Sequence, residues 1–142
     1  MILKFGTILL HNKFEFRDGE IGRKFLIVLN TPDIQKNEPY VIVKTTSNGK
    51  HKDTRIGCSR NGLTFHIPKN QCFFNLDTWV ILNEFYYFDP NKLLTDKING
   101  ACEIVGELDG NFKKMLINCI RESEDIEEFG LNLILKSYYR KT

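Results

Sequence analysis

Arg23 and Lys24 stand directly before the apolar run Phe25-Leu26-Ile27-Val28-Leu29. A second apolar run, Tyr40-Val41-Ile42-Val43, ends in Lys44-Thr45-Thr46-Ser47-Asn48. If the two runs pair as strands of one small barrel, cations and hydroxyls meet in a single groove. Such a groove suits holding or cutting an RNA backbone without a metal. Metal-free cleavage needs a base for the 2′-hydroxyl proton and an acid for the departing 5′-oxygen. It also needs a fixed cation or donor for the charge on the phosphorane. Arg23 offers that cation and a bidentate phosphate grip. Thr45, Thr46 and Ser47 offer hydrogen-bond donors to the same phosphate. His11, His51 and His66 are the proton-transfer candidates by side-chain chemistry, and none has an evident partner in the sequence.

Charge is unevenly spread. Residues 36–69 carry seven Lys/Arg against two acids, whereas residues 71–142 carry eight against twelve. The basic stretch is the candidate anion-binding surface. Lys44, Lys50, His51, Lys52 and Arg55 belong to it, and with Lys24 and His66 they form the candidate RNA-binding set. The same lysines also suit a solvated loop. His66 faces opposite to Phe65 and Ile67, toward solvent or into a groove. Trp79, Tyr86 and Tyr87 suit either base stacking or a core.

The function classes that drop out are clear. No apolar run approaches the roughly 20 residues of a membrane span, and Met1-Ile2-Leu3-Lys4 lacks a signal-peptide layout. A cytoplasmic location is the expectation. Phosphate-loop and dinucleotide spacings, H-E-x-x-H, G-x-S-x-G and metal-ligand clusters are absent from the sequence. Cys58, Cys72, Cys102 and Cys119 form no C-x-x-C pair and are expected as four free thiols.

The chain of 142 residues, 42% apolar and 27% charged, is expected to form one domain with a core of its own. Strands are expected over 5–11, 24–29, 40–45, 63–67 and 78–88, and a short strand or turn over 102–108. Residues 12–22 read as a loop or hairpin connection around Asp18-Gly19, and 47–60 as a long basic loop. Pro90 suggests a short helical turn. Phe112, Met115, Leu116, Cys119 and Ile120 recur with the helical period, which predicts a helix over 111–123. A second helix is expected over 125–139. Short strands followed by helices indicate an α+β fold built on a small β-barrel.

Taken in order, these segments resemble the MazF/PemK family of toxin endoribonucleases. Phe5-Gly6-Thr7-Ile8 resembles the family's first strand. Gly22-Arg23-Lys24-Phe25 through Leu29 resembles its G-x-R-P-hydrophobic strand, with Lys24 in place of the proline. Val41 to Ser47 is similar to the strand that ends in Thr-Ser. Asp77 to Glu84 resembles the D-[ST]-hydrophobic run, with Asn83-Glu84 where the family has an acid and Gln. Asp89 to Leu93, and Ile104 to the helix at 112–120, are similar to the closing segments. The resemblance covers about residues 5–122 and leaves 123–142 as a helical extension of a single 1–142 domain.

The resemblance implies a small SH3-like β-barrel of the MazF/PemK/CcdB type with a C-terminal helix. It implies the toxin component of a type II toxin–antitoxin system that forms a homodimer and binds a cognate antitoxin protein. Its substrate would be single-stranded RNA, cleaved without cofactor or metal to a 2′,3′-cyclic phosphate and a 5′-hydroxyl. Arg23 matches the catalytic arginine, Thr46 (or Thr45, one residue away) the catalytic threonine, and Ser47 the adjoining hydroxyl. The alternatives are a MazF-like barrel that binds RNA or a protein without cutting, and an unrelated β-barrel interaction domain.

Overall fold

Strands dominate the first two thirds of the chain because branched and aromatic residues alternate there between two buried faces. The computed structural model describes residues 3–140; Met1 and Ile2, part of the stretch read for a signal layout, lie outside the described residues. The strands are β1 (Thr7–Glu15), β2 (Ile21–Val28), β3 (Tyr40–Thr46), β4 (Gly57–Cys58), β5 (Thr64–Ile67), β6 (Thr78–Phe88) and β7 (Cys102–Glu107). The helices are α1 (Pro90–Ile98), α2 (Gly110–Glu122) and α3 (Glu128–Tyr138). All strands pair antiparallel in one sheet of order β4-β5-β6-β3-β2-β1-β7. Its ends, β4 and β7, do not pair with each other among the described residues, so the sheet is open.

Strand alternation divides the core in two. Ile8, Ile27, Leu29, Val41 and Val43 face α2 and α3 and pack with Leu116, Ile120 and Ile134. Leu9, Leu26, Val28 and Ile42 face the other way and pack with Leu93 of α1. β6 serves both halves of the sheet because it bends. Its partner on β3 jumps from Phe85, opposite Val43, to Val80, opposite Thr45, and the start of β6 also pairs with β5.

Two aspartates begin helices as sequence logic requires. Asp89 caps α1 by accepting from the Asn91 N–H, with Pro90 in the first turn, and Asp109 caps α2 by accepting from Phe112 N–H at 2.9 Å. Met115, expected on the buried stripe of α2, is partly exposed at 37%, and Ile117 is buried instead.

Several expectations are corrected. The segment 12–22 is the hairpin connection of the two readings, not a plain loop. β1 runs on to Glu15, and the turn closes through Phe16 and Gly19, whose φ of +89° suits glycine. The turn expected at Pro90 is a full helix. The 47–60 loop contains β4. Four free thiols are not found, because Cys58 and Cys119 are disulfide-bonded. β4 lies against α2 and brings their Cα atoms to 5.4 Å, within bridging distance. Cys72 and Cys102 are free. No helix among the described residues is long and apolar enough to cross a membrane.

Candidate functional site

The β2–β3 ladder runs Val28–Ile42, Ile27–Val43 and Leu26–Lys44. Thr45 adds one more link, donating its hydroxyl to the Phe25 carbonyl at 2.9 Å. Past that point a cavity of about 400 Å³ opens. Arg23, Lys24, Phe25, Thr45, Thr46 and Ser47, from β2 and the end of β3, line it together with Phe73, Phe74, Asn75 and Leu76 from the segment between β5 and β6. The structure therefore gathers Arg23, Thr45, Thr46, Ser47 and Lys24 at one cavity.

Their states differ. Arg23 is exposed and makes no ion pair or hydrogen bond with the described residues. Thr46 accepts from the Asn48 N–H at 3.1 Å, which leaves its hydroxyl proton free to be donated. Ser47 is exposed. The buried Thr45 hydroxyl is already engaged with Phe25. Thr46 and Ser47 are thus the hydroxyls open to a ligand, and Thr45 holds the strands that carry them.

Lys24 and Lys44 reach the same aromatic ring, with ammonium groups 5.9 Å and 5.7 Å from the centre of Phe16. Lys44 pairs with Glu84 at 3.1 Å, and Arg17 pairs with the other oxygen at 3.2 Å. The Tyr86 hydroxyl also donates to Glu84. Burial opposes the Glu84 charge, but the bonds from Tyr86 and Lys44 outweigh it and hold the carboxyl below its usual range. The same burial, reinforced by Glu84, pushes the Tyr86 phenol up to about 12. Lys24 has no such counter-ion. Burial first, then the neighbouring Lys44 charge, pull its ammonium below the usual lysine range.

The remaining candidates lie outside this cavity. His51 and Lys52 line a separate depression of about 170 Å³ with Arg60, and Lys50 and Arg55 are exposed on the same loop. The loop is pinned from below, where the Trp79 indole N–H donates to the Asp53 carbonyl at 2.9 Å. His66 is buried and stacked on Trp79 with ring centres 4.6 Å apart. Its Nδ1 donates to the Thr54 carbonyl at 3.1 Å, and its Nε2 lies 3.1 Å from Asp77 Oδ1. His66 thus fastens the basic loop to the sheet. His11 is likewise buried, between Asp96 at 3.0 Å and the Lys13 N–H at 3.2 Å. No histidine lines the cavity.

Neither the Phe73–Leu76 part of the lining nor the Arg17–Glu84–Tyr86 cluster is foreseen from the sequence. That part of the lining had a signal in Phe73-Phe74 followed by Asn75, an aromatic pair inside a turn-bounded segment. Arg17 and Glu84 are joined only by tertiary folding, so no local pattern marks them. Among the described residues, no group of three or more His, Cys, Asp or Glu is placed to hold a metal ion. The charged groups lining the cavity are the cations Arg23 and Lys24, which suits an anion. In comparisons with known proteins, no family model and no curated protein matches this chain.

Proposed function

We propose that the β2–β3 cavity binds the backbone of single-stranded RNA and cleaves it as a MazF/PemK-like toxin endoribonuclease does. The observation that supports this most is the meeting of an unpaired Arg23 with Thr46 and Ser47 at one cavity. In this reading the Arg23 guanidinium grips the scissile phosphate and stabilises the phosphorane, while Thr46 and Ser47 donate to its oxygens. Lys24, which lines the same cavity and has no carboxylate partner, offers a second cation to the backbone. The open, bent sheet is read as a divergent SH3-like barrel. The same proposal includes a homodimer, a cognate antitoxin and a cytoplasmic location. In a reducing cytoplasm the Cys58–Cys119 pair would be a dithiol.

A second reading is binding without cleavage. It is favoured by the cavity lining, which holds neither a histidine nor a carboxylate. End-labelled oligoribonucleotides incubated with the protein in EDTA separate the two. Fragments with 5′-hydroxyl ends support the nuclease. Intact RNA together with salt-sensitive binding supports the second reading, and no binding at low salt contradicts both.

A further inference from the structure

The two parts of the cavity lining differ chemically. Arg23, Lys24, Thr46 and Ser47, carried by β2 and the end of β3, present cations and hydroxyls, whereas Phe73, Phe74 and Leu76 of the segment between β5 and β6 present apolar surface, with the Asn75 amide among them. An anion alone leaves the second part unused, and an apolar ligand alone leaves the cations unpaired. A ligand that satisfies both carries a negative charge next to a flat apolar ring, as a nucleotide does. The volume of about 400 Å³ falls in the range of small-molecule sites, roughly 300–1,000 Å³.

The apolar part is built before any ligand arrives. It belongs to the segment between β5 and β6, which folds back on itself. Asn70 N–H donates to the Phe74 carbonyl at 2.9 Å, and Phe74 N–H to the Gln71 carbonyl at 3.1 Å. Asn70 and Cys72 adopt positive φ values of 64° and 55° to make this possible. Phe74 is buried and anchors the segment. Phe73 stays 37% exposed, yet its ring is fixed edge-on against Phe25 at 5.3 Å and Phe74 at 5.8 Å. Gly106 of β7 permits this approach, because a Cβ there would lie 3.1 Å from the Cβ of Phe73. Asn75 is exposed, and its side chain makes no hydrogen bond among the described residues. Its amide therefore offers both a donor and an acceptor.

We propose that Phe73 and Asn75 form a seat for one nucleobase of the bound strand, with Phe73 stacking on the ring and Asn75 reading its edge. This rests on the RNA reading of the cavity and names the groups that give it base preference. Arg23 and the hydroxyls then hold the adjoining phosphate, so backbone affinity and base preference reside on different segments of the lining.

The test is fluorescence anisotropy with short labelled single strands: oligo(A), oligo(U), oligo(C), and a ribose-phosphate strand of equal length without bases. The wild-type protein binds its preferred base-bearing strand more tightly than the baseless one. Phe73→Ala and Phe73→Leu, the latter keeping apolar contact with Phe25, each weaken the base-bearing strand by about fivefold or more, as loss of one stack implies. Both leave the baseless strand unchanged, and Phe73→Tyr restores the difference. Asn75→Asp alters the ranking of the three homopolymers. If the Phe73 variants weaken both strands equally, or neither, the seat is wrong while the RNA reading stands. If the wild-type protein binds none of the strands, the RNA reading fails and the seat falls with it.

Discussion

The hydroxyl of Thr45 donates to the backbone carbonyl of Phe25 at 2.9 Å, where the β2–β3 ladder gives way to the cavity. That bond closes the sheet beneath the site, so the Thr45 hydroxyl proton is already engaged and Thr45 supports the residues around it. Thr45→Val keeps the shape and removes the donor. The Phe25 carbonyl then loses its side-chain partner, at a cost of about 1–3 kcal/mol. Urea unfolding should show a lower midpoint with an unchanged slope. RNA affinity at a temperature where both proteins are folded should be unaffected.

The Cys58–Cys119 bridge spans 61 residues of sequence and ties β4 to α2. Loop-closure entropy for a ring of that size gives about 4 kcal/mol. Reduction, or Cys58→Ser, should lower the urea midpoint substantially, while Cys72→Ser should leave it in place. An unfolding curve indifferent to reductant would show that the bridge does not form in solution.

Lys24 and Lys44 face the same ring, but only Lys44 has a carboxylate partner, Glu84. Lys24 is therefore the cation left for a phosphate. Removing one such contact from a single strand reduces the slope of log affinity against log salt by about 0.7. Lys24→Ala should show that reduction. Lys44→Ala should instead lower stability, because it strips a partner from Glu84.

The hydrogen bond from His66, and then the Lys69 N–H, hold the Asp77 carboxyl below the usual aspartate range. A depressed carboxylate stabilises the fold fully above its unfolded value, and that contribution is lost as pH falls through the folded value. Asp77→Asn should thus be less stable than wild type at neutral pH. The gap should close as pH drops through and below the ordinary aspartate range. A gap that stays constant into acid, measured by thermal melting, would argue against the His66–Asp77 contact.

Much of the sheet was legible because its strands carry their own signal. β6 begins and ends where its branched and aromatic run does, at Thr78 and Phe88. Asp109 marks the start of α2 by its capping chemistry. β1 was read short because Asn12, Lys13 and Glu15 are polar and exposed on a strand whose other face is buried. The two-residue β4 exists only through its pairing with β5 and its bond to α2, so nothing local encodes it. The same holds for the site. Arg23, Thr46 and Ser47 flank strands whose pairing could be foreseen. Phe73 and Asn75 reach the cavity only because the chain folds back at Asn70 and Cys72. By alternation His66 faces opposite to Phe65 and Ile67, toward solvent or into a groove, and the loop that Trp79 and His66 hold down covers that face.

Arg23 is the residue on which cleavage depends most in the proposed mechanism. Single-turnover cleavage of a labelled single-stranded RNA in EDTA, by wild type and Arg23→Ala, tests it most directly. Wild type should give 5′-hydroxyl fragments, and the variant a rate at least tenfold lower, about 1.4 kcal/mol of transition-state stabilisation, with unchanged thermal stability. Equal rates for the two proteins, or no fragments from wild type at high concentration, would contradict the mechanism.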